Sequence, residues 1–160
     1  MPITKRKSSY LLNLERRLQG LSRKQRTQAK NEIRDYVLSE IESHTQAQTS
    51  PVDGSRFAEL SSAYRKVKRA LGKGGDADLH LNNDMINSLH AVNKENGVEF
   101  RITDSLEKLK SFNHNTGDTV PRRQFLPDDQ RRGKFGTFNS DIRDGINSII
   151  RRVRESEESS

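Results

Sequence analysis

Between positions 97 and 102 the chain reads Gly-Val-Glu-Phe-Arg-Ile, with Val98, Phe100 and Ile102 alternating with Glu99 and Arg101. A period of two belongs to a strand with one buried and one wet face. Upstream, Ser88-Leu89-His90-Ala91-Val92 approaches this strand across Asn93-Lys94-Glu95-Asn96-Gly97. The closing Asn-Gly predicts a β-hairpin with a five-residue connection. Downstream, residues 111–140 show no helical period, several Gly and Pro breaks, and one isolated apolar pair, Phe125-Leu126, between Pro121 and Pro127. A connection that long without structure of its own is uncommon in a compact domain, so the pair reads as an anchor for a segment that a partner orders.

Little apolar material is left to cover such a hairpin. Of 160 residues, 30% are hydrophobic and 32% charged, so the core must be small and the chain is expected to rely on neighbours for part of its burial. Leu11, Leu14, Leu18 and Leu21 recur at helical spacing and predict a short amphipathic helix ending near Gly20. Ser22-Arg23-Lys24-Gln25 has the capping-box pattern and should start a second helix, with Ala29, Ile33, Tyr36, Val37 and Ile41 on one face. Ser50-Pro51-Val52-Asp53-Gly54-Ser55 is a turn by composition. A third stripe, Phe57, Leu60, Tyr64, Val67 and Leu71, ends at a glycine run. Ser140 is placed as the cap of a last helix carrying Ile142, Ile146, Ile149, Ile150 and Val153, before a frayed acidic end.

The fold expected is α+β: N-terminal helices and a C-terminal helix packed on a small antiparallel sheet, with a long extended loop. Residues 1–9 form a basic arm, 10–49 an N-terminal helical segment, 50–154 a small α+β domain with the loop 111–140, and 155–160 an acidic tail.

Candidate chemistry is sparse. The chain has no cysteine, hence no disulfide or thiolate metal site. His44, His80, His90 and His114 lie at no metal-ligand spacing. Asp76, Asp78 and Asp84 do not follow an EF-hand pattern. Gly72-Lys73-Gly74-Gly75 follows a helix rather than a strand and lacks the Gly-Lys-Ser/Thr of a phosphate loop. No serine sits in a nucleophile turn. These observations predict a protein that is not an enzyme and needs no cofactor. No apolar run approaches membrane-spanning length and the N-terminus lacks a signal-peptide core, so an intracellular protein that does not contact membrane is expected.

The net charge of +7 is uneven: residues 1–75 carry 16 Lys/Arg against 7 Asp/Glu, residues 76–120 carry 4 against 8, and residues 121–160 carry 9 against 7. The basic half suits an anionic partner or simply solubilises helix faces. Arg65, Lys66, Lys68 and Arg69 form its densest cluster. With Lys5-Arg6-Lys7, Arg16-Arg17 and Arg23-Lys24 they support an alternative reading, a basic nucleic-acid-binding protein.

One succession of motifs resembles a known family: Ser50-Pro-Val-Asp-Gly-Ser-Arg-Phe57, Leu60-Ser-Ser-Ala-Tyr64, Lys66 and Lys68, Leu79-His-Leu81, Met85, Ser88-Leu89, residues 97–102, His114 and Gly117, and Pro121-Arg-Arg-Gln-Phe-Leu126. Their order and spacing resemble the neck and tail-completion proteins of tailed bacteriophages, the virion-morphogenesis proteins that include lambda's Z-like group. The chain departs from the family pattern at Arg122 and Gln124, where alanine and proline are usual.

The resemblance implies a structural virion protein, assembled in the host cytoplasm, that forms a homo-oligomeric ring at the head-to-tail junction. Its partners would be the portal or adaptor on one side and the tail tube or tail terminator on the other, with Arg65, Lys66, Lys68 and Arg69 as candidates either to contact packaged DNA in the channel or to pair with acidic patches on a neighbour. The interface expected from the residues is His114, Gly117, Pro121, Arg122, Arg123, Phe125 and Leu126. A second reading has Phe125 and Leu126 closing the core of their own domain.

Overall fold

The alternating segment forms the centre of a sheet. In the computed structural model of the chain, which describes residues 9–57, 70, 88–102, 124–127 and 136–158, five elements follow one another: β1 (Ser9–Asn13), α1 (Arg23–Gln46), β2 (Leu89–Lys94), β3 (Gly97–Ile102) and α2 (Ser140–Glu158). The strands form an antiparallel sheet in the order β1-β3-β2. The class is the expected α+β.

Register places Tyr10, Phe100 and Ala91 side by side, and likewise Leu12, Val98 and Asn93. Val98, Phe100 and Ile102 are completely buried while Arg101 is exposed, so the period of two maps onto an inner and an outer face. On the inner face Phe138 stands edge-on to Tyr10 and to Phe100, with ring centroids 5.5 and 6.1 Å away. Such edge-to-face geometry suits the ring quadrupoles.

The N-terminal leucines depart from expectation. Residues 9–13 are a strand, not a helix, because Tyr10 and Leu12 point inward with Leu14 at the same two-residue spacing, and β3 offers an edge to pair with. Spacings of two and of three to four overlap in Ser-Tyr-Leu-Leu-Asn-Leu, and long-range pairing decides between them. Only one helical turn follows, closed by the Leu18 amide on the Leu14 carbonyl at 2.9 Å. Gly20, at φ +84°, ends it. Leu14, Leu18 and Leu21 are buried all the same. The segment 10–49 therefore shares one core with the hairpin and α2.

The hairpin is present with a shorter connection than expected. Asn93 and Lys94 pair with Val98 and Gly97, leaving only Glu95 and Asn96 between the strands. Two contacts from α1 extend the ladder. The Asn93 amide group donates to Asn31 Oδ1 at 2.7 Å, and Lys30 Nζ donates to the carbonyls of Lys94 and Glu95 at 2.8 and 3.0 Å.

Helix α1 starts where the capping box placed it. Ser22 Oγ accepts from the Gln25 amide at 3.1 Å, and Gln25 Oε1 accepts from the Ser22 amide at 2.9 Å. Gln25 is itself buried, and its Nε2 donates to the Val153 carbonyl at 3.4 Å, tying the start of α1 to the end of α2. The stripe Ala29, Ile33, Val37 and Ile41 is fully buried, with Tyr36 at its margin. Tyr36 crosses onto α2 at Gly145, where a Cβ would fall 2.1 Å from its hydroxyl.

Helix α2 is capped by Asn139 rather than Ser140: Asn139 Oδ1 accepts from the Ile142 amide at 3.0 Å. It also runs to Glu158 instead of fraying from Glu155.

Burial raises the Tyr10 phenol above its ordinary 10.0, outweighing the opposite effect of Arg17. A group whose pKa rises on folding contributes stability that is complete below the unfolded value and lost as pH climbs through the folded one. The thermal midpoint should therefore hold up to pH 10.0 and fall above it. Tyr10→Phe should flatten that fall in a melting series, and an unchanged alkaline limb would contradict the assignment.

Candidate interface site

The site begins at the expected turn. The Ser50 amide donates to the Ser55 carbonyl at 2.8 Å and the Gly54 amide to the Ser50 carbonyl at 2.9 Å. Gly54 sits at φ +76°, and Asp53 Oδ1 accepts from the Ser55 amide and hydroxyl at 3.0 and 2.6 Å. Aspartate followed by glycine supplies this local bonding and this positive φ.

Composition conveyed nothing of what Ser50 does across the fold. It is 2% exposed, its Oγ donates to the Gln124 carbonyl at 2.6 Å, and the same oxygen accepts from the Val52 amide at 3.1 Å. Gln124 Nε2 donates to the Leu126 carbonyl at 2.9 Å. Backbone polar groups that enter a core need such partners. With them satisfied, residues 124–127 are all buried.

Phe125 and Leu126 are 0% and 2% exposed and belong to the same cluster as Phe100, Phe138, Ile142 and Ile146. Expected both as interface residues and as packing against the hairpin and the Ile142-Ile146-Ile149 helix, they join that hairpin and helix as core residues of the single chain. The physical reason is the scarcity of apolar side chains: a chain with so few closes its core with this pair. Ser50→Ala would remove the buried hydroxyl that bonds both the Gln124 carbonyl and the Val52 amide. A loss of about 1–3 kcal/mol should appear in denaturant titration, and a change within a few tenths would contradict the clamp.

The other sequence-predicted interface residues, His114, Gly117, Pro121, Arg122 and Arg123, lie outside the described residues, as do the basic Arg65, Lys66, Lys68 and Arg69. The segment 103–123 runs from Ile102, fully buried at the end of β3, to Gln124, 3% exposed in the clamp. Both of the described residues that flank it are thus fixed to the core.

A second concentration of charge arises from helix packing. The start of α1 meets the end of α2 through Gln25 and Val153, and Arg154 Nη2 donates to the carbonyls of Arg17 and Gln19 at 3.2 and 3.4 Å. The Leu14 amide donates to the Asn96 carbonyl at 2.8 Å, bringing the hairpin tip to the same end. This end carries Arg16, Arg17, Arg23, Lys24, Arg26 and Arg151, all exposed, against the exposed Glu15, Glu95 and Glu155, with Glu15 and Glu95 lining one depression with Arg26. At the opposite end, Asp141 opens α2. Arg16 and Arg17 stand out as a pair in the sequence, but the bond from Arg154 of α2 to the Arg17 carbonyl could not be read there.

Among the described residues no group of three or more His, Cys, Asp or Glu could hold a metal ion. His44 bonds Thr49 Oγ1 at 3.0 Å, and His90 is exposed on β2. No helix of the described residues is long and apolar enough to cross a membrane. Comparison with known proteins finds no matching family model, curated protein or solved structure.

Proposed function

We propose that the chain is a structural subunit of the head-to-tail connector of a tailed bacteriophage, a neck or tail-completion protein that closes into a ring between the portal and the tail. The supporting observation is the fixation of residues 124–127 by Ser50 and the core. It ties Gln124, Phe125 and Leu126, the last residues of the Pro121 to Leu126 motif that carries the family resemblance, to the core.

A ring subunit needs both parts: a body that keeps its shape and a surface that meets a neighbour through a heterologous contact closed by rotation. In this reading His114, Gly117, Pro121, Arg122 and Arg123 face the neighbouring subunit or a tail protein, and Phe125 with Leu126 holds them in place. The subunit is not an enzyme. It joins the portal or adaptor to the tail tube or tail terminator and resides in the virion, having assembled in the host cytoplasm.

Charge reversal at Arg122 and Arg123 is the test, read by sedimentation velocity and by binding to purified connector proteins at moderate salt. The variant should melt like the wild type yet fail to assemble or to join. Full assembly of the variant would contradict the placement of the interface.

A further inference from the structure

The basic end formed by α1, α2 and the turn 14–22 has no role in ring closure as argued above. We propose that it binds the phosphate backbone of duplex nucleic acid without regard to sequence, through Arg16, Arg17, Arg23, Lys24, Arg26 and Arg151.

Three observations carry this. First, none of the six forms an ion pair among the described residues, whereas Arg152 is taken by Glu32 at 2.9 Å and Arg34 by Asp35 at 3.1 Å. Second, Arg23, Lys24 and Arg26 occupy the first turn of α1, which contains no acidic residue. Cations there oppose the helix dipole, a local cost that α2, opening on Asp141, does not carry. A polyanion reverses the sign of that interaction, since both the cations and the positive helix end then face negative charge. Third, the apolar residues of this end, Leu14, Leu18 and Leu21, are buried, so the surface it presents is polar and charged, with the six cations outnumbering the exposed Glu15, Glu95 and Glu155. The centre of a protein interface is depleted of charged groups and built on apolar anchors. A nucleic-acid backbone is gripped mainly by Arg and Lys on phosphate oxygens, so the make-up of this surface favours phosphate over an acidic protein.

The surface is held in place by its own fold. Arg154 fixes the carbonyls of the 14–22 turn against α2, and Gln25 fixes α1 against Val153. The six cations therefore need no rearrangement of the backbone to meet a ligand.

The test is titration of the full chain into a labelled duplex of about 30 base pairs and arbitrary sequence, by fluorescence anisotropy across a salt series from about 50 to 200 mM. A variant combining Arg16→Gln, Arg17→Gln, Arg23→Gln and Lys24→Gln is compared with the wild type, its folding checked by circular dichroism and its assembly by sedimentation. The wild type should bind with affinity falling steeply with salt. The variant should lose about 3 to 4 from the logarithmic salt slope and bind ~100-fold more weakly at the lowest salt, while folding and assembling as before. Absence of wild-type binding, or an unchanged slope in the variant, would overturn the proposal. So would a variant that fails to assemble while the wild type ignores duplex, since the surface would then be a protein contact. Because assembly is read separately from duplex binding, the ring reading and this one fail independently.

Discussion

Replacing Phe125 and Leu126 together by serine should abolish the cooperative unfolding transition of the isolated chain. Both side chains are buried within one chain, and truncating a buried Phe or Leu costs about 3–5 and 2–5 kcal/mol respectively through lost transfer energy and the cavity left behind. Serine adds a hydroxyl to the apolar cluster that also holds Phe100, Phe138, Ile142 and Ile146. Neighbouring losses do not add strictly, yet their combined scale is that of the whole stability of a small domain, about 5–15 kcal/mol. Far-ultraviolet circular dichroism against temperature or denaturant is the measurement. A variant that melts like the wild type but fails to dock would show that the pair is an interface anchor after all.

Gly97→Ala should cost about 3 kcal/mol, the upper end for overpacking, although it adds one methyl group. A Cβ on Gly97 would lie 2.0 Å from the Leu12 carbonyl oxygen and 3.0 Å from its carbon, with Asn13 Cα at 3.3 Å. All three atoms are backbone of β1, so no side-chain rotation relieves the overlap. Relief requires β1 to move away from β3, which opens the pairs Asn13 with Gly97 and Leu12 with Val98 at the point where the Leu14 amide also bonds Asn96.

Gly145→Ala provides the contrast, because there the obstruction is the Tyr36 ring, a side chain that can swing, and alanine is the better helix former by about 1 kcal/mol. In urea titrations Gly97→Ala should be much the weaker of the two variants. Equal stabilities would contradict the close approach of β1 and β3.

Gly97 also shows how far the sequence could be read. As half of an Asn-Gly pair it marked the hairpin, and the hairpin is there, but the turn is made by Glu95 and Asn96. The glycine is required by a strand that pairs from far upstream. The signals that held are local ones: the alternation from Val98 to Ile102, the capping box of Ser22 and Gln25, and the Asp53-Gly54 turn.

Those that shifted depended on what lies across the fold. Leu11 to Leu21 fitted a helix until an exposed edge of β3 was available, and Ser140 yielded the cap to Asn139, whose own amide is held by the Pro51 carbonyl at 2.9 Å. Phe125 and Leu126 were legible as an anchor, while the direction of anchoring was not. Their burial, and the bond from Ser50 to Gln124 across 74 positions of sequence, reveal that they face inward. The gathering of Arg16, Arg23 and Arg151 at one end was likewise hidden, because it follows from antiparallel helix packing rather than from any run of charge.

Locating the chain in purified particles tests the central functional proposal most directly. A small electron-dense tag fused at the C-terminus after Ser160, in virions otherwise complete, should appear as a ring of label at the junction of head and tail, and particles lacking the chain should leave heads and tails unjoined. Label spread over the capsid, label absent from particles, or normal joining without the chain would contradict the account.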